Sequence, residues 1–127
     1  MLSLTVPATP PSVNHYKQPY IRRGRIHYYV KPEAQMFKLM VRDAAAGRTV
    51  APVTTRERNK VRYGLSVRVV LGPAQRGDGD NMWKCIADGL VDAGVIHSDA
   101  RVKRWLLEVD DTERREARTE ISVEVLN

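Results

Sequence analysis

Only one cysteine, Cys85, occurs in the 127 residues of this chain. That excludes an intrachain disulfide and any zinc site built on cysteine thiolates, and it suits a reducing cytoplasm. Histidine is also scarce. His15, His27 and His97 stand far apart with no partner visible in the sequence, so none is given a catalytic role. No apolar run approaches the roughly 20 residues that span a bilayer. The opening Met1-Leu-Ser-Leu-Thr-Val-Pro7 lacks the charged start and long apolar core expected of a signal peptide. Membrane-spanning and disulfide-scaffold classes are therefore set aside.

Acid is in short supply too. Fifteen Asp and Glu face 21 Lys and Arg, for a net charge of +6 and a sequence pI near 9.8. Such a surface suits a polyanion, nucleic acid first, and says nothing about fold. The apolar fraction of 43% and mean hydropathy of −0.41 are ordinary for a globular protein. A chain of this length buries about two-thirds of its unfolded surface, so one domain over residues 1–127 is expected and needs no metal to hold its core.

Leu2–Val6 reads as a short strand ended by Pro7, and Pro10-Pro11-Ser12-Val13-Asn14 as a loop, because proline disfavours helix for itself and its predecessor. Tyr20–Arg22 and Arg25–Tyr29 form a hairpin pattern with Gly24 at the turn. Pro32 suits the first position of a helix that carries Met36, Phe37, Met40, Val41 and Ala44 to Gly47. Thr54–Lys60 is expected to be a polar linker or loop inside the domain, and Leu65–Leu71 a strand stopped by Gly72-Pro73. Met82, Ile86 and Leu90, with Trp83, Ala87 and Val91 beside them, mark a second helix over Gly79–Ala93, capped by Gly94. Strands over Val102–Val109 and Ile121–Leu126, with the connector Asp110–Arg118 between them, complete the chain. Strands outnumber helices, so the expected class is α+β: a mixed, mainly antiparallel sheet with two principal helices on one face.

The chemistry concentrates at Asp78-Gly79-Asp80. Both aspartates project to the same side of an extended segment, Asp80 is placed to cap the second helix, and hard oxygen ligands suit Mg²⁺ or Mn²⁺. Taken alone, an Asp-x-Asp is more often a helix cap beside a solvated loop residue. Lys84 and Asp88 follow at intervals of four, forming one stripe with Asp80. That stripe is either a ladder of surface ion pairs or a lysine aimed at phosphate, with Asp88 orienting it. Asp99 lies beyond the helix, after Gly94–Ser98; on spacing alone it belongs to a turn. Trp83 and Trp105 read as core or interface residues and Cys85 as a small packed one.

Asp78-x-Asp80-Asn81-x-x-Lys84, then Asp88-x-Leu90, Gly94 and Ser98-Asp99-Ala100-x-Val102, together with Pro10-Pro11-Ser12-x-Asn14, resemble the signature of the RusA family of Holliday-junction resolvases. The resemblance covers most of the chain in order. It implies that Asp78, Asp80 and Asp99 bind metal, that Lys84 is the catalytic lysine, and that the protein is a Mg²⁺- or Mn²⁺-dependent homodimer nicking four-way DNA junctions symmetrically, with no small-molecule cofactor. The family occurs in bacterial and prophage genomes. One departure is that Ala74-Gln75-Arg76-Gly77 stands where members carry an arginine-rich run. Candidate DNA contacts are Lys17, Arg22, Arg23 and Arg25 around the hairpin, Arg76 before the first aspartate, and Arg101, Lys103 and Arg104 after Asp99. The competing readings are a non-catalytic DNA-binding protein of the same fold and a nuclease for flaps or other branched DNA.

Overall fold

The computed structural model describes residues 1–11, 17–73, 75, 79–112 and 116–126, with side chains for all of these except 17–18, 28–30 and 79–81. Among the described residues six strands and three α-helices follow in the order β1 (Leu2–Val6), β2 (Lys17–Arg22), β3 (Arg25–Val30), α1 (Pro32–Ala45), α2 (Thr55–Arg58), β4 (Arg62–Val70), α3 (Gly79–Asp92), β5 (Val102–Asp110) and β6 (Arg118–Leu126). A 3₁₀ turn, Asp99–Arg101, leads into β5.

The main sheet has four strands in the order β1-β6-β4-β5. β1 with β6 and β6 with β4 run antiparallel, while β4 with β5 runs parallel. The class is α+β, as the pattern of elements implies. Period-two alternation decides which face is buried. Leu2, Leu4 and Val6 are buried while Ser3 and Thr5 are exposed, and the register sets Leu4 against Ile121 and Ile121 against Val67. Tyr63, Leu65, Val67 and Val69 extend the same apolar face along β4.

Helices α1 and α3 cover that face and pack against each other. Gly89 lets them approach closely, since a methyl group there would lie 3.2 Å from the Val41 side chain. Pro32 opens α1, and a left-handed pair, Ala46 (φ 51°) and Gly47 (φ 76°), turns the chain out of it. Its buried row is Ala34, Phe37, Val41 and Ala45, whereas Met36 is exposed. The expected stripe was thus rotated by part of a turn, because the core takes the i, i+3, i+7, i+11 positions.

Thr54–Lys60 differs from the expected linker. It contains α2, whose cap is the Thr54 hydroxyl accepting the Glu57 backbone N–H at 3.2 Å. Thr-x-x-Glu is a capping signature, strong enough to close one helical turn without any buried residue. Of the expected Pro10–Asn14 loop, Pro10 and Pro11 are described and lie outside helix and strand, and the rest lies outside the described residues. Among the described residues no helix is long and apolar enough to cross a membrane.

The far face of the sheet is mostly polar, with Leu106 exposed on it. Ser3 and Ser122 hydroxyls meet at 3.3 Å, Arg104 pairs with Glu124, and Arg68 bridges Asp110 and Glu120. Cys85, a residue of α3, is fully buried, and desolvation pushes its thiol up to about 12, so it stays protonated and packs as a small apolar group. At the end of β5, the Thr112 hydroxyl and backbone N–H both donate to Asp110, and Arg68 adds a charged donor, so the Asp110 carboxyl is held well below its ordinary value. A depressed carboxyl stabilises the fold above its unfolded value and loses that contribution as pH falls through the folded value. Asp110→Asn is therefore expected to lower Tm at pH 7. The gap from wild type should stay constant down to about pH 3.8, the ordinary value, and close below it. Thermal melts from pH 7 to 2 check this; a gap that widens in acid refutes it.

Candidate active site between α3 and the Asp99 turn

The site begins with how α3 ends. Gly94 adopts φ 75°; its N–H donates to the Val91 carbonyl and the Val95 N–H to the Leu90 carbonyl, both at 3.0 Å. This is a Schellman closure, in which a left-handed glycine satisfies the last carbonyls and reverses the chain. Val95 and Ile96 then bury completely, next to fully buried Leu90. The Val95 carbonyl accepts from the Val50 N–H at 3.0 Å and from the Thr49 hydroxyl at 3.3 Å. Two further ties come from the start of β4: the Tyr63 hydroxyl meets His97 Nδ1 at 2.7 Å, and Arg101 Nε donates to the Val61 carbonyl at 2.8 Å. Tyr63 is fully buried, and that desolvation raises its phenol above the ordinary value.

Held at these points, the loop runs back along α3. The Ser98 hydroxyl accepts the Ala100 N–H at 3.2 Å and starts the 3₁₀ turn. Asp99 Oδ2 then lies 3.9 Å from Lys84 Nζ, and Asp88 Oδ1 lies 3.4 Å from the same ammonium. Lys84 thus sits between a carboxylate of its own helix and one delivered by the loop. Trp83, the neighbour of Lys84, stacks on Trp105 of β5 with ring centres 4.4 Å apart and planes 23° from parallel. The stack braces this part of α3 against the edge strand, with Trp105 half exposed.

As an ion pair the Lys84–Asp88 contact is worth little. An exposed i,i+4 pair contributes about 0.3–0.5 kcal/mol. Lys84 is 52% and Asp99 45% exposed, so both charged groups face solvent where an anion or cation can reach them. Asp80 occupies the helix position one turn before Lys84; its side chain, Asp78 and Arg76 lie outside the described residues. Among the described residues no group of three His, Cys, Asp or Glu comes together. The donor chemistry nevertheless suits a hard divalent ion: the described contact of the Asp99 carboxylate is the long pair to Lys84, which leaves oxygen lone pairs open.

The family model for endodeoxyribonuclease RusA matches residues 7–124. The chain belongs to the RusA family of endodeoxyribonucleases. Its members resolve Holliday junctions, and the match takes in every strand and helix from β2 to β5 together with Lys84 and Asp99. No curated protein matches the chain significantly.

For a RusA-family chain the basic residues matter next. Arg22, Arg23 and Arg25 surround the β2–β3 turn and, with His27, line an open concavity of about 670 Å³. This hairpin is a sheet of its own, separate from the four-stranded sheet that carries the site. Lys17 lies on β2 with its side chain outside the described set. Near Asp99, Lys103 is exposed, whereas Arg101 and Arg104 already bond to Val61 and Glu124. Tyr63 and His97 carried no recognisable signal in the sequence, because a strand tyrosine and an isolated histidine declare no partner. Yet their bond secures the segment that delivers Asp99.

Tyr63→Phe removes that bond while keeping the ring in the core. The expected stability loss is about 1 kcal/mol, and cleavage should fall on the order of tenfold as Asp99 loosens, with DNA affinity unchanged. Thermal melts, gel-shift and single-turnover assays check this; full activity in a variant of lowered Tm would make the bond purely structural.

Proposed function

We propose that residues 1–127 form one RusA-like endonuclease domain that acts as a homodimer in the cytoplasm, resolving Holliday junctions by paired symmetric nicks. The observation that carries this reading is the return of Asp99 to within 3.9 Å of Lys84, which gathers two of the four expected catalytic residues from separate elements. Asp78, Asp80 and Asp99 would hold Mg²⁺ or Mn²⁺. Bound there, such an ion supplies Lewis-acid polarisation of the scissile phosphate and an activated water.

The chain's own groups divide the remaining work. Lys84 neutralises charge on the phosphoryl group or the departing oxygen, an electrostatic role that strengthens where water is excluded. Asp88, 24% exposed at its side chain and 3.4 Å from Nζ, orients the ammonium. The Ser98-capped turn fixes where the Asp99 carboxylate stands. Arg22, Arg23 and Arg25, with Lys17, Arg76 and Lys103, supply phosphate contacts that position the DNA, while Arg101 and Arg104, also expected among them, are engaged by Val61 and Glu124.

A four-way junction has approximate two-fold symmetry, and a C2 dimer would present it with two identical sites. β5 favours such a partner. It is an edge strand with Trp105 50% and Leu106 65% exposed, the kind of edge that folded proteins usually cover.

The deciding assay offers a labelled four-way junction, a flap and linear duplex, with and without Mg²⁺. Metal-dependent cutting of the junction alone, by paired nicks, is the expected result. Equal cutting of all three removes junction selectivity, and cutting of the flap in preference favours a general branched-DNA nuclease. Asp80→Asn should lower cutting at least 100-fold, on the order of losing a key electrostatic group, and retain junction binding, which rests on basic residues. Full activity in that variant would take Asp80 out of the site, and a wild type that binds without cutting would leave a DNA-binding protein.

A further inference from the structure

The β2–β3 hairpin is built in a way the proposed chemistry does not use. All nine residues from Pro19 to His27 are exposed, so none of them helps bury the core. Even so, two isoleucines sit directly opposite each other near its tip: Ile21 is 78% exposed, Ile26 is 67% exposed, and the register pairs them. By period-two alternation Pro19 shares their face. The opposite face carries Tyr20 stacked on His27, with centres 5.4 Å apart and planes 25° from parallel, and then the cross-strand pair Arg22 and Arg25. One side of the ribbon is therefore apolar and the other aromatic and cationic.

The turn points the same way. Arg23 at φ 53° and Gly24 at φ 74° both take left-handed backbone, the requirement of the tight hairpin turn that matches strand twist. Asparagine, aspartate or glycine fills the first of these positions with less strain than arginine. Between Lys17 and Lys31 there are five cations, Lys17, Arg22, Arg23, Arg25 and Lys31, and no acidic residue. An apolar tip enclosed by cations is complementary to a stack of bases enclosed by phosphates.

We infer that this hairpin is an unstacking wedge. The Ile21–Ile26 pair lodges against an end base pair at a DNA branch point, while Arg22, Arg23 and Arg25 hold the flanking phosphates. The inference rests on the junction reading above and adds how a junction is told from duplex. Apolar side chains that enter a base step lose stacking energy and recover it through contact. At a branch point the stack is already interrupted, so the same insertion is easier there than in continuous duplex. The wedge thereby turns local DNA structure into affinity.

The test uses the full chain in EDTA, where no cutting is expected, and a four-way junction with 2-aminopurine beside the branch point. Wild type should raise the fluorescence on binding. The double variant Ile21→Ser, Ile26→Ser changes two exposed side chains, so its Tm should match wild type. It should lose most of the fluorescence rise and about tenfold of its preference for junction over duplex, the range of one mismatched recognition contact, with duplex affinity and salt dependence unchanged. An unchanged rise and preference overturns the wedge. So does a change in solution mass by light scattering, which would give the isoleucines to a contact between copies. A wild type that cuts junctions in Mg²⁺ yet gives no rise overturns the wedge alone. A wild type that neither binds nor cuts branched DNA overturns the junction reading and the wedge with it.

Discussion

β5 pairs with β4 in the parallel sense, and parallel neighbours cannot be joined by a tight turn. The chain leaving β4 must travel back past the whole strand before it can enter β5 at Val102, opposite Tyr63. Helix α3 and the segment after it make that journey. Every described residue of the candidate active site lies on this crossover or at its end: Lys84 and Asp88 on the helix, Asp99 on the turn just before β5. Were β5 antiparallel to β4, a hairpin would suffice and Asp99 would have no reason to meet Lys84.

The crossover separates stability from chemistry. Val95, Ile96, Ile86, Leu90 and Tyr63 are fully buried, whereas the charged groups they position are about half exposed. A carboxylate and an ammonium held by their own attraction at a solvated surface would gain little, because exposed pairs are weak. Here the backbone does the positioning, through the Gly94 closure, the bonds to Val95 and Val61, and the hydroxyl of Tyr63. Sites supported in this way hold their geometry while remaining open to a large polyanion. The hairpin is the opposite case: its residues from Pro19 to His27 are all exposed, and it stands as a separate two-stranded sheet.

Much of this architecture was legible in the residues. The alternation in Leu2–Val6, the helix stripe ending at Gly94 and the Arg23-Gly24 turn each follow from local rules, and each forms where those rules place it. Local rules also account for the two departures. The Thr54…Glu57 cap closes a helical turn inside a stretch that looked like linker, and the core takes Ala34 and Ala45 rather than Met36. Both alanines are fully buried, and their helical position on the inner face, not side-chain hydrophobicity, puts them there.

By itself the sequence determined the element types, the basic surface, and the order of Asp78, Asp80, Lys84 and Asp99 along the chain, because each depends on near neighbours or on simple composition. The parallel sense of β5, the burial of Val95 and Ile96, the bond from Tyr63 to His97 and the meeting of Asp99 with Lys84 were decided only by the tertiary structure. Those contacts join residues 15 and 34 positions apart, or strands whose pairing sense no local pattern encodes. They form because burying one continuous apolar face leaves the crossover a narrow choice of paths, and the path taken brings the loop's carboxylate back to the helix.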